Sequence, residues 1–182
     1  MVAMKKIIGI VGMPGSGKTE ALQIFKERGF AVFNMGDVVT TIEPAKRGIK
    51  ELNEFIEQQI RTDLRRKHGK DAIAKLTADE VDKLEAPVVV IAGIHSFDEI
   101  TYFKKHFGDF QLIGLEAARE TRFKRLDSRK VRPLTREEFE HRELNDRYDI
   151  PEIVKQADHR VQNEGTLRDF QQRLGKLIDT ML

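Results

Sequence analysis

The apolar and polar positions along this chain form two patterns, one typical of strands and one typical of helices, and the two follow each other along the sequence. Short apolar runs recur at intervals, and those at 87–93 and 110–116 are apolar almost throughout, which is typical of strands covered on both faces. We therefore predict five strands, the last of them weaker in pattern than the others. They cover residues 6–11, 31–34, 87–93, 110–116 and 158–163.

The segments between these runs carry helical patterns. Ile49, Leu52, Ile56, Ile60 and Leu64 recur at spacings of three and four, which predicts an amphipathic helix over residues ~48–67 that ends near Gly69. Four further segments have Ser or Thr followed three residues later by an acid, the capping-box pattern of a helix start. These pairs are Thr77/Glu80, Ser96/Glu99, Thr135/Glu138 and Thr166/Asp169.

Strands that alternate with helices imply a parallel sheet with right-handed crossovers. The chain has 182 residues, contains no repeat, linker or low-complexity tract, and is long enough for a sizeable core. We predict a single α/β domain over residues 1–182.

The composition of the chain bears on several classes of protein to which it could belong. The 32 Lys and Arg nearly balance the 30 Asp and Glu, so the charge gives no indication of a nucleic-acid partner. The chain has no Cys, which excludes disulfides and thiolate metal sites. The first apolar run is too short for a signal peptide, and none approaches the ~18 residues of a membrane span. We expect a cytoplasmic protein that does not bind membranes.

Residues 12–19 match the phosphate-loop pattern G-x-x-x-x-G-K-[ST] in full. The match follows the first predicted strand and opens a helix, where backbone N–H groups and the helix N-terminus would meet phosphate oxygens. Lys18 would reach the β- and γ-phosphates, and the Thr19 hydroxyl would coordinate Mg²⁺. The predicted nucleotide-binding residues are Gly12, Met13, Pro14, Gly15, Ser16, Gly17, Lys18, Thr19 and Glu20.

The order of the remaining motifs resembles that of small P-loop kinases such as adenylate kinase and dephospho-coenzyme A kinase. The pieces "MPGSGK", "MGDVV" and "NEGTL" resemble an archaeal family of adenylate-kinase-related P-loop proteins over essentially the whole chain. This resemblance implies a three-layer P-loop fold of the nucleoside-monophosphate-kinase type, with helices on both faces of a parallel sheet. It also implies ATP and Mg²⁺, an acceptor-side helical region over about 37–85, and a lid over about 121–145.

The lid region is rich in arginine, which suits phosphate better than lysine does. We expect Arg122, Arg125 and Arg129 to act on the transferred phosphoryl group. Arg142 follows by similarity to an arginine in the helix after the lid of dephospho-coenzyme A kinases. The cluster as a whole is Arg122, Arg125, Arg129, Arg132, Arg136 and Arg142. Two alternatives are a solvated helix pair, in which nearby glutamates pair with these arginines, and a basic face for nucleic acid.

The sequence departs from related kinases at three positions. Ala92 stands where they usually end the third strand with an acid, and His95 and Thr40 stand where they commonly carry acceptor-binding arginines. Asp37 is retained, and it would serve as general base or metal-side acid, or else as a helix N-cap. His95 would contact a ligand at the end of a central strand or bond only to backbone. Asp98 and Glu99 could replace the missing acid, but we favour a capping-box role for Glu99 and a place in the first helical turn for Asp98.

These observations predict a phosphotransferase that moves the γ-phosphoryl group of ATP·Mg²⁺ to a small phosphate-bearing acceptor. A nucleoside monophosphate is the first expected acceptor and dephospho-coenzyme A the second. The predicted catalytic residues are Lys18, Asp37, Arg122, Arg125 and Arg129. The alternative is a non-kinase ATP-binding protein, a sensor or slow ATPase, whose acceptor site has degenerated.

Overall fold

The computed structural model describes residues 5–130, 133–144 and 149–182. Within them, five parallel strands form one sheet in the order β2-β3-β1-β4-β5. The predicted α/β class and its five strands are confirmed, with bounds that differ by at most one residue. The strands are β1 (Lys6–Gly12), β2 (Ala31–Asn34), β3 (Val88–Ala92), β4 (Asp109–Glu116) and β5 (His159–Gln162).

Helices connect the strands and cover both faces of the sheet. A π-helical turn, Val38–Ile42, precedes the second helix. The helices are α1 (Lys18–Glu27), α2 (Glu43–Arg47), α3 (Glu54–His68), α4 (Ala72–Asp82), α5 (Phe97–Phe107), α6 (Arg119–Asp127), α7 (Arg136–Leu144), α8 (Ile150–Lys155) and α9 (Leu167–Met181). In the part of the chain that the structure describes, no helix is long and apolar enough to cross a membrane.

The apolar core consists of a layer on each face of the sheet. On one face, α5 packs against β4, α8 packs against β1 and β4, α4 and α3 extend this layer by packing against α5 and α4, and Phe103 is completely buried there. On the other face, α1 packs against β1, β2 and β3, α9 packs against β5 and α1, and the two helices enclose Phe25 and Phe170. Since nearly continuous apolar strands need cover on both sides, this three-layer packing accounts for the sequence pattern of the strands.

The helix predicted over ~48–67 begins later than expected. Gly48 adopts a left-handed conformation (φ 66°) that ends α2 and redirects the chain, so the apolar positions 49 and 52 lie in an irregular segment. The α3 helix starts only after Asn53, whose side chain accepts a hydrogen bond from the Ile56 amide at 2.9 Å. The end predicted near Gly69 is confirmed.

Three of the four predicted capping boxes are confirmed by reciprocal hydrogen bonds, at Ser96/Glu99, Thr135/Glu138 and Thr166/Asp169. The box predicted at Thr77 is wrong. Thr77 lies inside α4, fully buried, because that helix already begins at Ala72. The apolar side chains around it continue the buried face of the helix instead of starting a new one.

The helices α6 and α7 form a small apolar cluster of their own. Leu126, Leu134 and Phe139 are buried together, with Phe123 packed against them. This cluster is separate from the two core layers, and the arginine-rich segment of the sequence surrounds it.

Candidate functional site

The segment between β1 and α1 has the geometry of a phosphate-binding loop. Gly17, directly before α1, has φ 104°, and a Cβ there would overlap Asn163 Nδ2. A Cβ at Gly12 would likewise overlap the Ser16 hydroxyl. These two positions require glycine because the loop must curl tightly with its amides directed inward. The cradle predicted from the motif is therefore formed by residues 12–17.

Two polar side chains within the loop are poised for an anion. The Ser16 hydroxyl is buried, and its oxygen has no hydrogen-bond partner among the residues that the structure describes. Lys18 Nζ donates to the carbonyl oxygens of Gly12 at 2.5 Å and Met13 at 3.1 Å. Burial, and after it the charge of Arg122, lower the pKa of Lys18 to about 8. A nearby phosphate would stabilise the charged ammonium and raise this pKa again.

Asn163 and Arg125 hold the loop from outside. Asn163 is 6% exposed, and its Nδ2 donates to the Ser16 carbonyl at 3.0 Å. Arg125 donates to the carbonyls of Gly15 at 3.2 Å and Asn163 at 2.7 Å. The Gly15 and Ser16 carbonyls are thus bound by donors outside the loop, while the Ser16 amide donates to the Met13 carbonyl at 3.0 Å within it.

Arg122 lies beside the loop but is engaged by a carboxylate. Its guanidinium makes a two-pronged ion pair with Glu143 of α7, with N–O distances of 2.9 and 2.6 Å, and it is only 6% exposed. It also donates to the Pro14 carbonyl at 3.4 Å. For Arg122, the structure therefore shows the pairing with a nearby glutamate that was the alternative to a free phosphate-binding arginine.

A cavity of about 270 Å³ opens beside the loop at the carboxyl ends of β2 and β3, and we call it the β2–β3 cavity. The edge formed by the carboxyl ends of parallel strands is where α/β proteins bind ligands. Its cationic lining comes from the loop and from α3. The lining residues are Lys18, Thr19, Leu22, Asn34, Met35, Gly36, Arg61, Arg65, Ile73, Ala92, Gly93, His95 and Glu99.

The two arginines that line this cavity make few ion pairs or hydrogen bonds with other side chains of the protein. Arg61 has one ion pair, with Glu57 on its own helix, at 3.7 Å. The half-buried guanidinium of Arg65 has no ion pair within 4 Å and no hydrogen bond among the described residues. A half-buried guanidinium without a close carboxylate partner, as at Arg65, favours an anionic ligand, and Arg61 lies one helical turn away on the same cavity wall.

Two titratable groups complete the β2–β3 cavity. Burial, and after it the charges of Lys18, Arg61 and Arg65, lower the pKa of His95 to about 4, so its imidazole is neutral at pH 7. Burial also raises the pKa of Glu99, against hydrogen bonds from the His95 and Ser96 amides and the charge of Arg65. The cavity therefore holds an excess of positive charge and one buried carboxylate.

A second cavity, of about 660 Å³, lies on the other side of the loop, and we call it the β4–β5 cavity. Met13 contributes to it from the loop, and Leu115, Pro151 and Val154 give it apolar walls. Glu164 closes one side, because its carboxylate accepts hydrogen bonds from the Ala118 amide and from the Thr121 hydroxyl. The phosphate loop thus separates a cationic cavity from a larger one with apolar walls.

Several of the predicted site residues lie away from these cavities. Asp37 is exposed, follows Gly36 at the mouth of the β2–β3 cavity, and its side chain makes no cap hydrogen bond. Glu20 is exposed in the first turn of α1. The Thr40 hydroxyl donates to the Gly36 carbonyl at 3.1 Å.

The other arginines of the lid region are distributed over its surface. Arg136 pairs with Glu120 and stacks 3.6 Å above the ring of Phe123. Arg129 is half-buried just beyond α6, and Arg142 is exposed on α7. Arg132 lies outside the described residues.

Sequence reasoning missed Arg61, Arg65 and Asn163. It expected acceptor-binding arginines at positions 40 and 95, whereas the arginines that line the β2–β3 cavity come from α3. The signal was present, since Arg61 and Arg65 follow the buried Ile60 and Leu64 and so flank the apolar stripe of that helix. Asn163 belongs to the "NEGTL" motif, but its contact with a loop 147 residues away gives no local pattern.

The donors of the β2–β3 cavity fit a magnesium ion that is shared with a nucleotide. Among the described residues, no group of three or more His, Asp or Glu side chains could hold a metal. Mg²⁺ in nucleotide sites, however, is usually held by one or two protein oxygens together with phosphates and water. The Thr19 hydroxyl lines the cavity at the end of the loop and can supply one such oxygen.

Comparisons with known proteins agree with this geometry. A family profile described as an AAA domain matches residues 8–164. A UPF0200 protein of Methanoculleus marisnigri is 37% identical over 95% of both chains. A UPF0200/UPF0201 protein of Archaeoglobus fulgidus is 38% identical over 98% of this chain, which spans 56% of that protein's length.

Solved structures resemble the fold at low sequence identity. The crystal structure of TT1252 from Thermus thermophilus matches with a TM-score of 0.66 and 23% identity, over 98% of both chains. Shikimate kinase from Acinetobacter baumannii, in complex with shikimate, matches with a TM-score of 0.59 and 18% identity, over 98% of this chain and 96% of the other. These likenesses establish the fold of a P-loop kinase-like domain.

Proposed function

The chain belongs to the UPF0200 protein family, and we propose that it transfers the γ-phosphoryl group of ATP to a small anionic acceptor. The observation that carries this proposal is the pairing of a phosphate loop with a cationic cavity beside it. Lys18 lines that cavity together with Arg61 and Arg65. A donor phosphate on the loop and an anionic acceptor in the cavity would then meet at the Lys18 ammonium.

The donor would bind with its phosphates on the loop amides and on the N-terminus of α1. The β4–β5 cavity, on the other side of the loop, has room and apolar walls for the nucleoside part of ATP. Lys18 would leave the carbonyls of Gly12 and Met13 and bind the β- and γ-phosphate oxygens. Ser16 and Lys18 thereby gain partners that the protein alone does not give them.

Thr19 would hold Mg²⁺ against the phosphates. When bound, the ion supplies charge neutralisation at the β- and γ-phosphates. The Thr19 hydroxyl, in the first turn of α1, would supply one oxygen ligand to the ion. Lys18 and the loop amides carry the rest of the phosphate charge.

The helices α6 and α7 and the segment between them would act as a lid over residues ~121–145. Their own apolar cluster supports movement as a unit. Arg122 and Arg125 already donate to loop carbonyls, so a small displacement would bring a guanidinium to a phosphate oxygen. Arg129 would reach the transferred group from the far end of α6. Closure of such a lid excludes water from the reacting phosphate.

The acceptor would lie in the β2–β3 cavity with its anionic group on Arg61 and Arg65. Two arginines four residues apart on one helix face can hold one phosphate or carboxylate together. Neutral His95 adds a hydrogen-bonding group without another charge. A nucleoside monophosphate and dephospho-coenzyme A are the two candidate acceptors, and Asp37 at the cavity mouth is available to contact either of them.

One observation favours a second candidate function, a slow ATPase or ATP sensor. Ala92 ends β3 at the cavity, so this strand supplies no carboxylate there to orient Mg²⁺ or its waters. Loss of such an outer carboxylate typically lowers activity about 10–100-fold. A sensor of this kind would bind ATP and close its lid without an acceptor.

The test measures ADP release with and without acceptors in wild type, Arg65→Ala and Arg66→Ala. Arg66 is the matched control because its side chain lies one residue further along α3 and is 81% exposed. We expect acceptor-dependent ADP release in wild type, a KM for the acceptor raised at least about 10-fold in Arg65→Ala, and no change in Arg66→Ala. ADP release that no acceptor stimulates would favour the ATPase or sensor.

A further inference from the structure

Glu99 is the one carboxylate among the residues that line the β2–β3 cavity. It is 3% exposed and lies at the start of α5, opposite the cationic residues of α3. Asp37, the acid that the sequence favoured for this site, is exposed and is not part of the lining. Within this lining, Glu99 is therefore the one carboxylate that could accept a proton from a ligand.

Backbone amides hold this carboxylate in place through one of its two oxygens. Oε2 accepts hydrogen bonds from the His95 amide at 2.8 Å and the Ser96 amide at 3.2 Å. The Ser96 side chain also hydrogen-bonds to this carboxyl group. Both backbone hydrogen bonds of the capping box end on Oε2, so the backbone orients Glu99 without a bond to Oε1, the oxygen that a ligand could contact.

Burial acts in opposite directions on the two titratable groups of this cavity. Burial, and after it the charges of Lys18, Arg61 and Arg65, lower the pKa of His95 to about 4, so that histidine is a weak base. Burial moves the pKa of Glu99 the other way, above its usual value. A carboxylate with a raised pKa matches the task of a general base better than a histidine with a pKa near 4.

We infer that Glu99 takes the proton from a hydroxyl group of the acceptor, and that the acceptor is a small alcohol carrying a phosphate or carboxylate. This inference rests on the proposed function and specifies its substrate class. The anionic substituent would bind Arg61 and Arg65, and the hydroxyl would donate a hydrogen bond to Glu99. A nucleoside monophosphate fits less well, because its attacking phosphate oxygen has no proton to lose and would be repelled by the carboxylate.

The step balances without a further reactant. The acceptor oxygen forms a bond to the γ-phosphorus as its proton moves to Glu99. The bond between the γ-phosphorus and the bridging oxygen breaks, and ADP leaves with that electron pair. Glu99 then releases the proton to water. The products are ADP and a phosphate monoester.

The chemical stability of the product distinguishes the two acceptor classes. A phosphate monoester survives brief heating in acid, whereas the phosphoanhydride formed from a nucleoside monophosphate is hydrolysed. Radiolabelled [γ-³²P]ATP is supplied with AMP, CMP, GMP and UMP in one arm. Dephospho-coenzyme A, shikimate, gluconate and a deproteinised archaeal metabolite extract form the other. We expect acid-stable label from the second arm only.

The matched variants are Glu99→Gln and Asp169→Asn. Glutamine can still accept the two amide hydrogen bonds, so the cap is kept while the base is lost, and Asp169 holds the corresponding place in the capping box of α9, outside the proposed lid. We expect Glu99→Gln to lower kcat for transfer at least about 100-fold, with the Kd for ATP within about 2-fold of wild type. Asp169→Asn should transfer at the wild-type rate.

Three results would overturn the inference and leave phosphoryl transfer intact. They are acid-labile label on a nucleoside monophosphate, full activity of Glu99→Gln, and recovery of Glu99→Gln at high Mg²⁺, which would make Glu99 a metal-side acid. Label found only in inorganic phosphate in both arms would instead refute the proposed transfer itself, and with it the inference.

Discussion

Replacing Asn163 by alanine should make the phosphate loop less firmly held, because Asn163 binds the backbone of the loop. The substitution removes the hydrogen bond from Nδ2 to the Ser16 carbonyl, 3.0 Å long and buried. It also removes a weaker contact of 3.3 Å from Arg125 to Oδ1. Arg125 keeps its bonds to the backbone carbonyls of Asn163 and Gly15, so most of the loss falls on the Ser16 carbonyl.

The size of the effect follows from these contacts. A buried acceptor left without its donor costs about 1–3 kcal/mol of the free energy of unfolding. For a chain of this length, each kcal/mol lowers Tm by about 2–4 °C, so the expected decrease is about 4–8 °C for a cost near 2 kcal/mol. Because the Ser16 carbonyl also fixes the peptide before Gly17, ATP affinity should fall about 10-fold, or ~1.4 kcal/mol.

The assay combines thermal unfolding with titration calorimetry of ATP·Mg²⁺. Asn53→Ala is the control, since it removes a cap at α3 worth about 1 kcal/mol and lies far from the loop in the chain. It should lower Tm but leave the Kd for ATP unchanged. An Asn163→Ala protein with wild-type Tm and wild-type Kd would refute the claim that Asn163 holds the loop.

Three further predictions follow from the site. Lys18→Ala should weaken ATP·Mg²⁺ binding by about 2–4 kcal/mol in calorimetry, because a charge-assisted contact is lost beside the phosphates. Because His95 has its pKa lowered from 6.5 to about 4, the unfolded chain binds a proton in this window that the folded protein does not. The free energy of unfolding should therefore fall as the pH drops from 6.5 to 4, and His95→Gln should remove that part of the dependence in denaturant titrations. Glu143→Gln should lower the free energy of unfolding by about 3 kcal/mol, because it leaves the buried Arg122 charge unpaired.

Each of these has a control of the same kind. Lys26→Ala, on the exposed end of α1, should leave ATP affinity unchanged. His68→Gln, at the exposed end of α3, should keep the full pH dependence. Glu120→Gln breaks an ion pair whose side chains are 55% and 44% exposed, so it should change Tm much less than Glu143→Gln. If a variant and its control had equal effects in any of these three comparisons, the role given to the first residue would be contradicted.

The strands and the phosphate loop could be predicted because their signals are local. A run such as 87–93 is apolar throughout since both of its faces are covered, and a loop that curls around a phosphate needs glycine at Gly12 and Gly17. The helix start at residue 54 could not be placed, because the apolar spacing continues through the turn at Gly48. Spacing alone does not distinguish a helix from an irregular segment that packs with the same residues.

The β2–β3 cavity could not be predicted because it depends on contacts distant in the chain. Arg61 and Arg65 reach the ends of β2 and β3 only through the packing of α3 against α4 and the π-helical turn. Arg122 and Glu143 are both typical of a solvated helix, and only the crossing of α6 and α7 brings them together. The cap role favoured for Glu99 is confirmed, while its place in the cavity depends on where α5 begins.

The most direct test of phosphoryl transfer follows the label from [γ-³²P]ATP in wild type and Arg65→Ala, with the Kd for ATP measured on the same preparations. We predict label on a small acceptor in wild type, at least about 10-fold less of it in Arg65→Ala at subsaturating acceptor, and an unchanged Kd for ATP. Label released only as inorganic phosphate, at one rate in both proteins and with or without acceptor, would contradict an acceptor site in the β2–β3 cavity.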